Sequence, residues 1–124
     1  MPKNRKELIR SKVYYSGTSI GNSFWRRYKD EDLYERGYGE LWLTRNALYF
    51  RRYLTMTPFE IPIKTIFKIT MGHAHAGKIS IVPVMKIHWS RGDKELVFGF
   101  SIPHKLEELL QWQRKLQKVA KVRF

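Results

Sequence analysis

The sequence predicts a mainly β (α+β) fold: an antiparallel barrel or sandwich of six or seven strands, capped by one C-terminal amphipathic helix. Short segments of alternating apolar residues follow one another from residue 37 onward, and Gly, Pro and Asn separate them. After Pro103 the apolar period changes to that of a helix. The strand segments are GELWLT, ALYFRRY, FEIPI, IFKITM, VMKIHWS and ELVFGFS.

Residues 1–36 form an N-terminal extension that differs from the rest of the chain. Residues 12–15 are typical of a first strand. Before them, either a short helix opens at Asn4 and runs through Ile9, or the terminus is frayed. The stretch 16–23 (SGTSIGNS) is rich in turn-forming residues, so we expect a flexible loop there.

Period-two alternation assigns one face of each later strand to the core. Short turns at residues 44–47 and 91–94 join neighbouring strands, and Asn46 tolerates the left-handed conformation that a tight hairpin needs. The residues expected to face inward are Leu41, Leu43, Leu48, Phe50, Ile61, Ile63, Phe67, Ile69, Met71, Met85, Ile87, Trp89, Leu96, Phe98 and Phe100.

The closing helix is predicted from about residue 105 to residue 121. Its apolar residues recur at helical spacing, which is typical of a helix that packs one face on a sheet. We expect Leu109 and Leu116 to be buried there. The apolar face contains Leu106, Leu109, Leu110, Trp112, Leu116 and Ala120, and Glu107, Glu108, Arg114, Lys115, Lys118 and Lys121 lie mostly opposite.

Three of these stretches together resemble the pleckstrin-homology-like superfold, in particular its GRAM-like branch and prokaryotic relatives. The stretches are GYGELWLTRNALYFRR (37–52), FEIPIKTIFKIT (59–70) and PVMKIHWSRGDKELVFGF (83–100), and the terminal helix agrees in position and character. The resemblance implies a PH/GRAM-like domain over residues 37–124. It also implies recognition of a lipid surface or of a protein or peptide.

Charge is the strongest compositional signal. The chain of 124 residues, enough for one domain with a real core, carries 24 Lys and Arg against 11 Asp and Glu, a net charge of +13. Such a field attracts nucleic acid, anionic lipid head groups or acidic proteins. A generically basic surface with no dedicated partner is the alternative.

Composition also bears on location. The sequence has no cysteine, which excludes disulfides and thiolate metal sites and favours a cytoplasmic protein, with a peripheral position at a membrane left open. No apolar run approaches the roughly 20 residues that span a bilayer, so we expect no transmembrane segment. The basic start lacks the apolar region of a secretory signal.

The segment 72–78 (GHAHAGK) matches the first part of a phosphate-binding loop, G-x-x-x-x-G-K. Such a loop needs Ser or Thr next to ligate magnesium, followed by a helix, whereas Ile79 stands there and the following residues favour a strand. We therefore expect no nucleotide cofactor.

The pair His73 and His75 could seed a metal site, but the sequence supplies no further ligand at a matching spacing. We expect an exposed loop without metal, a subunit-bridging metal being the exception.

No catalytic constellation is visible. The chain lacks a thiol nucleophile, its carboxylates fall mostly in turns or on the helix surface, and its serines lack the strand–elbow–helix context. We predict that the protein is not an enzyme and uses no cofactor.

The candidate binding residues lie on the outward side of the first hairpin. If the leucines face in, Trp42, Tyr49 and Tyr53 face out beside Arg51, a composition typical of interface hot spots. The alternatives are cross-strand pairing that stabilises the sheet, or cover by residues 1–36. Because such rings rarely cluster without cover, we expect this face to be buried by residues 1–36, by a second copy of the chain or by the ligand. The residues Arg45, Arg51 and Arg52 would add an anionic preference at the edge of this face.

A second candidate is the basic aromatic run 24–29 (FWRRYK). Its residues Trp25, Arg26 and Arg27 suit base stacking with phosphate contacts, or a membrane surface. Packing of the rings on the barrel is the alternative. The sequence therefore favours a non-catalytic binding module for an anionic lipid surface or a protein partner. A small nucleic-acid-binding protein is the alternative function, and homo-oligomerisation stays open.

Overall fold

The structure, a computed structural model, describes residues 6–21, 36–55, 57–75 and 78–122. This part of the chain contains seven strands, a one-turn 3-10 helix (Ile63–Thr65) and one α-helix. The strands are β1 (Ile9–Ile20), β2 (Gly37–Leu43), β3 (Ala47–Arg52), β4 (Phe59–Pro62), β5 (Ile66–His75), β6 (Lys78–Arg91) and β7 (Lys94–Ser101), and the helix is α1 (Leu106–Ala120).

All seven strands belong to one antiparallel sheet in the order β4-β3-β2-β1-β7-β6-β5. Strand β1 lies at the centre, because its first half pairs with β2 from Ile9 opposite Leu43, and its second half pairs with β7 as far as Ile20 opposite Leu96. The prediction of a mainly β, antiparallel fold closed by a C-terminal helix is confirmed.

The predicted loop over residues 16–23 is wrong from 16 to 20, which continue strand β1. Small polar residues favour loops in isolation, but here they fill the buried centre of a sheet and gain ladder hydrogen bonds to β7. The hydroxyls of Tyr15 and Thr18 bond to each other at 2.6 Å, which satisfies two buried polar groups. Ile9 begins a strand, so the alternative of a helix running through it is also wrong.

The core fills the space between the inner faces of the strands, and most of the predicted inward residues are buried. Phe67 is an exception and is exposed. The pairing of β5 with β6 shifts register between Ile66 and Lys68, so Ile66 takes the buried position instead. Met71 is half-buried at the core margin.

Helix α1 closes the core as predicted, and its residues Leu109, Trp112 and Leu116 are buried. The indole Nε1 of Trp112 donates to the hydroxyl of Ser11 on β1 at 2.9 Å, and that hydroxyl donates to the Glu108 carboxylate. Leu106 was expected on the buried face but is exposed, because it is the first helical residue and precedes the turn that reaches the core. Within the described ranges, no helix has the length and apolar character needed to cross a membrane.

Candidate anion-binding site and partner surface

The structure separates the predicted site residues. Trp42, Tyr49 and Arg51 share the outer face of β2 and β3, whereas Arg45 lies in the turn at one end of these strands. Arg52 lies opposite Gly39 in the ladder, and its side-chain stem is beside Gly37, where an added Cβ would stand 3.2 Å from Cδ of Arg52. Trp25, Arg26 and Arg27 lie outside the described residues.

The outer face of β1, β2 and β3, with the residue just after β3, carries a row of rings and charges that we call the aromatic face: Arg10, Lys12, Tyr38, Glu40, Trp42, Tyr49, Arg51 and Tyr53. Trp42 and Tyr49 are cross-strand partners whose rings stack, with centroids 5.4 Å apart and planes 15° apart. The Arg10 guanidinium lies over Trp42, 4.3 Å from the ring centroid. Stacking and the cation–π contact both stabilise the pairing of these strands.

Two cations of the aromatic face, Arg10 and Arg51, are already paired with the Glu40 carboxylate. Arg10 forms ion pairs with Glu40 at 2.5 Å and with Glu7, and Arg51 lies 3.9 Å from the same Glu40 carboxylate. An anion bound here would have to compete with Glu40. Two of the interpretations of this face therefore have direct support. Trp42 and Tyr49 pair across the strands, and Arg10, which belongs to residues 1–36, covers part of the face.

Arg45 occupies a turn that a neighbouring hydroxyl fixes. The Thr44 Oγ1 atom accepts the backbone N–H groups of Asn46 and Ala47, both at 3.2 Å, and Thr44 N–H donates to the Ala47 carbonyl at 2.9 Å. Asn46 does not adopt the left-handed conformation expected for it, because the threonine hydroxyl closes the turn without it. The Arg45 side chain is exposed from a backbone that is held in place.

The C-terminal part of α1 supplies further cations. Lys115 and Lys118 are exposed, and Lys121 follows the helix in the left-handed conformation, with φ 57° and ψ 42°. Gly or Asn is usual at that position, so a lysine there carries backbone strain. Lysines near a helix C-terminus also interact favourably with the helix dipole. This interaction alone explains in part why these lysines lie at the end of α1.

Arg45 and these lysines surround two adjoining hollows between α1, the β2–β3 turn and the 3-10 helix. The first, of about 300 Å³, is lined by Leu8, Arg45, Lys115, Lys118, Val119 and Lys121. The second, of about 450 Å³, is lined by Arg45, Asn46, Pro62, Ile63, Lys64, Ile66, Val119, Ala120 and Lys121. We call Arg45, Lys64, Lys115, Lys118 and Lys121 the cation cluster.

Within the part of the chain that the structure describes, the positive charge of the cation cluster is not compensated. Among the described residues, no carboxylate lines either hollow, and none of the five cations forms an ion pair. Like charges brought together raise one another's energy unless an anion neutralises them. Sequence reasoning selected only Arg45 from this set, although the i, i+3 spacing of Lys115, Lys118 and Lys121 could have indicated a basic helix face.

The described residues of the glycine–histidine segment (72–75 and 78) belong to strands β5 and β6. His75 was expected in an exposed loop but is buried, and burial lowers its pKa to about 4, with the nearby Lys86 and His88 acting in the same direction. Lys78 begins strand β6, so the prediction that no helix follows it is confirmed. The residues that the structure describes contain no group of three or more His, Asp or Glu side chains placed to hold a metal ion.

No protein-family model matches the chain, and no curated protein is similar enough in sequence to count as a relative. Among solved structures, the chain is similar to the C-terminal domain of an unknown protein from Leishmania infantum, with a TM-score of 0.54 and 15% identity. The match covers 93% of this chain and 84% of that one. The likeness concerns the fold alone.

Proposed function

We propose that the protein is a non-catalytic binding module that recognises an anionic ligand through the cation cluster. The observation that carries this proposal is the convergence of five cations on two joined hollows: Arg45, Lys64, Lys115 and Lys118 of α1, and Lys121 just after it. No described carboxylate lines those hollows. The net charge of +13 would draw anions toward the protein and raise the rate at which they find the site.

The chemistry of the cluster suits phosphate or carboxylate groups at a surface. The Arg45 guanidinium can donate two parallel hydrogen bonds to one such group, whereas the lysines act as mobile point charges around it. The apolar side chains of Leu8 and Val119 line the same hollow and give an amphipathic ligand something to contact. The resemblance to PH-like and GRAM-like domains supports lipid head groups as the ligand class, with a peripheral position at the membrane.

A protein or peptide partner on the aromatic face is the second candidate function. It rests on the stacked pair Trp42 and Tyr49, which are half-buried, and on Arg10, which lies over the Trp42 ring. Trp, Tyr and Arg are the residues most enriched at interface hot spots. A second copy of this chain is one such partner.

The proposal is tested by measuring binding over a series of salt concentrations to three probes. The probes are phosphatidylcholine vesicles with and without phosphatidylserine, single-stranded RNA and duplex DNA. We expect binding to the phosphatidylserine vesicles that weakens as salt rises, because the contacts are ionic. Tight binding to RNA or DNA alone would support the nucleic-acid alternative, and no binding to any probe at moderate salt would overturn the proposal.

A further inference from the structure

The turn after β3 presents a leucine to solvent in a strained conformation. Leu54 is 100% exposed and has a φ of +74°, a region that a leucine rarely adopts. Neither feature helps the isolated fold, because exposure forfeits the burial of an apolar side chain and the left-handed backbone is unfavourable for a residue with a Cβ. Strain that is maintained at an exposed position is a reason to look for an interaction there.

Hydrogen bonds on both sides hold this turn in place. Thr55 donates to the Arg52 carbonyl through its backbone N–H at 3.1 Å and through its hydroxyl at 2.6 Å. The Arg51 guanidinium donates to the Thr55 carbonyl at 3.3 Å, and the Tyr53 N–H donates to the Tyr38 carbonyl at 3.1 Å. The turn that exposes Leu54 is therefore fixed by hydrogen bonds on both sides.

The surroundings of Leu54 are amphipathic. Tyr38 and Tyr53 are 48% and 37% exposed, and the Lys12 ammonium lies 5.3 Å from the Tyr38 ring centroid and 6.0 Å from that of Tyr53. Among the described residues, Lys12 forms no ion pair. We call Lys12, Tyr38, Tyr53 and Leu54 the tyrosine–leucine tip.

We propose that the tyrosine–leucine tip inserts into the interfacial layer of a lipid surface, with Leu54 in the acyl region, the tyrosine rings at head-group level and Lys12 toward lipid phosphate. This order of apolar apex, amphipathic rings and cation follows the polarity gradient of a membrane interface. The positive charge of Lys12 and of the whole chain complements an anionic leaflet.

The tip shares Lys12, Tyr38 and Tyr53 with the aromatic face, but it is distinct from the cation cluster and goes beyond the proposed function. Arg45 and Leu54 flank opposite ends of β3, whose six residues span about 20 Å. Variants of one surface therefore leave the residues of the other unchanged. Vesicle binding can be assigned to the tip, to the cluster or to both.

The absence of cysteine from the chain allows a direct test. The substitution Leu54→Cys gives a single thiol for an environment-sensitive fluorophore, and Ile81→Cys, at a β6 residue that is 97% exposed, is the matched control. On vesicles of phosphatidylcholine and phosphatidylserine we expect the emission of the label at position 54 to shift to the blue and to be quenched by brominated acyl chains. The label at position 81 should show neither change.

Leu54→Gly provides a second readout, because it removes the side chain and relieves the backbone strain. We expect unchanged or higher thermal stability together with about tenfold weaker vesicle binding, the factor that partial burial of one leucine supplies. An unresponsive label at position 54, or equal responses at both positions, would overturn the proposal. So would a blue shift without vesicles that accompanies a doubled mass in light scattering, since a second copy would then be the occupant.

Discussion

His75 and Gly17 are 58 residues apart in the chain, yet the imidazole Nε2 of His75 donates a hydrogen bond to the Gly17 carbonyl at 2.9 Å. The ring also lies against Gly99, where an added Cβ would overlap it. Because β5 is an edge strand and β1 is the central strand, this contact fastens the end of β5 across the face of the sheet.

This burial predicts a pH-dependent stability. Burial lowers the pKa of His75 to about 4 from 6.5, so the folded protein resists protonation that the unfolded chain accepts. The stabilisation is complete above pH 6.5 and is lost as the pH falls from 6.5 to 4, by roughly 3 kcal/mol for His75. His88 acts in the same direction, because burial also lowers its pKa to about 4.

Urea unfolding at several pH values between 5 and 7 checks this prediction. The variant His75→Gln should lose a large part of the slope of unfolding free energy against pH, since glutamine does not titrate. His104→Asn, at an exposed histidine with φ +63°, is the matched control and should keep the slope. Equal slopes in the wild-type protein and in His75→Gln would contradict the assignment.

The contact between His75 and Gly99 predicts an intolerance to any side chain at position 99. Gly99→Ala should destabilise the fold by about 1–3 kcal/mol, the usual cost of overpacking. Gly72→Ala is the control, because its Cβ would meet only the flexible end of Lys86, 3.3 Å away. Thermal denaturation of Gly99→Ala in a His75→Ala background should show a smaller loss, and additive losses would refute the proposed overlap.

The helix should contribute through its buried leucines. Leu109→Ala and Leu116→Ala should each lower the unfolding free energy by about 2–5 kcal/mol, because each leaves a cavity between α1 and the sheet. Leu106→Ala, on the same helix but exposed, should change it by less than about 0.5 kcal/mol. Denaturant melts of the three variants check the difference, and equal losses at all three positions would contradict the packing.

The aromatic face yields a separate prediction. The double variant Trp42→Ser with Tyr49→Ser removes the stack and the ring beneath Arg10, so we expect lower stability and altered self-association or partner binding. Light scattering and binding to the same vesicle and nucleic-acid probes check it. If fold, oligomeric state and binding are all unchanged, the face is not a partner surface.

Sequence alone predicted the strands from residue 37 onward and the closing helix, because their apolar periods are regular and their turns are marked. It missed the second half of β1, because Ser16, Gly17 and Thr18 are loop formers whose strand conformation depends on pairing with β7. It misplaced Phe67, because a one-residue register shift reverses which side chains face the core. Tertiary pairing decides both features.

The candidate site was predictable only in fragments. Arg45 stood out as a turn residue and the α1 lysines as a solvent-facing set, but their convergence requires the β2–β3 turn and the end of α1 to meet. The burial of His75 could not be predicted either, because it too depends on contacts between distant parts of the chain. The Gly17 carbonyl that accepts its hydrogen bond and Gly99, against which its ring lies, are both far from it in the sequence.

Charge reversal within the cation cluster tests the central claim most directly. The double variant Arg45→Glu with Lys121→Glu should weaken binding to phosphatidylserine vesicles by at least about tenfold at low salt and flatten its salt dependence. The matched control Lys94→Glu with Arg114→Glu changes the net charge equally at exposed cations that line neither hollow. We predict a loss confined to the cluster variant, and equal losses in both would show that only net charge matters and would contradict the site.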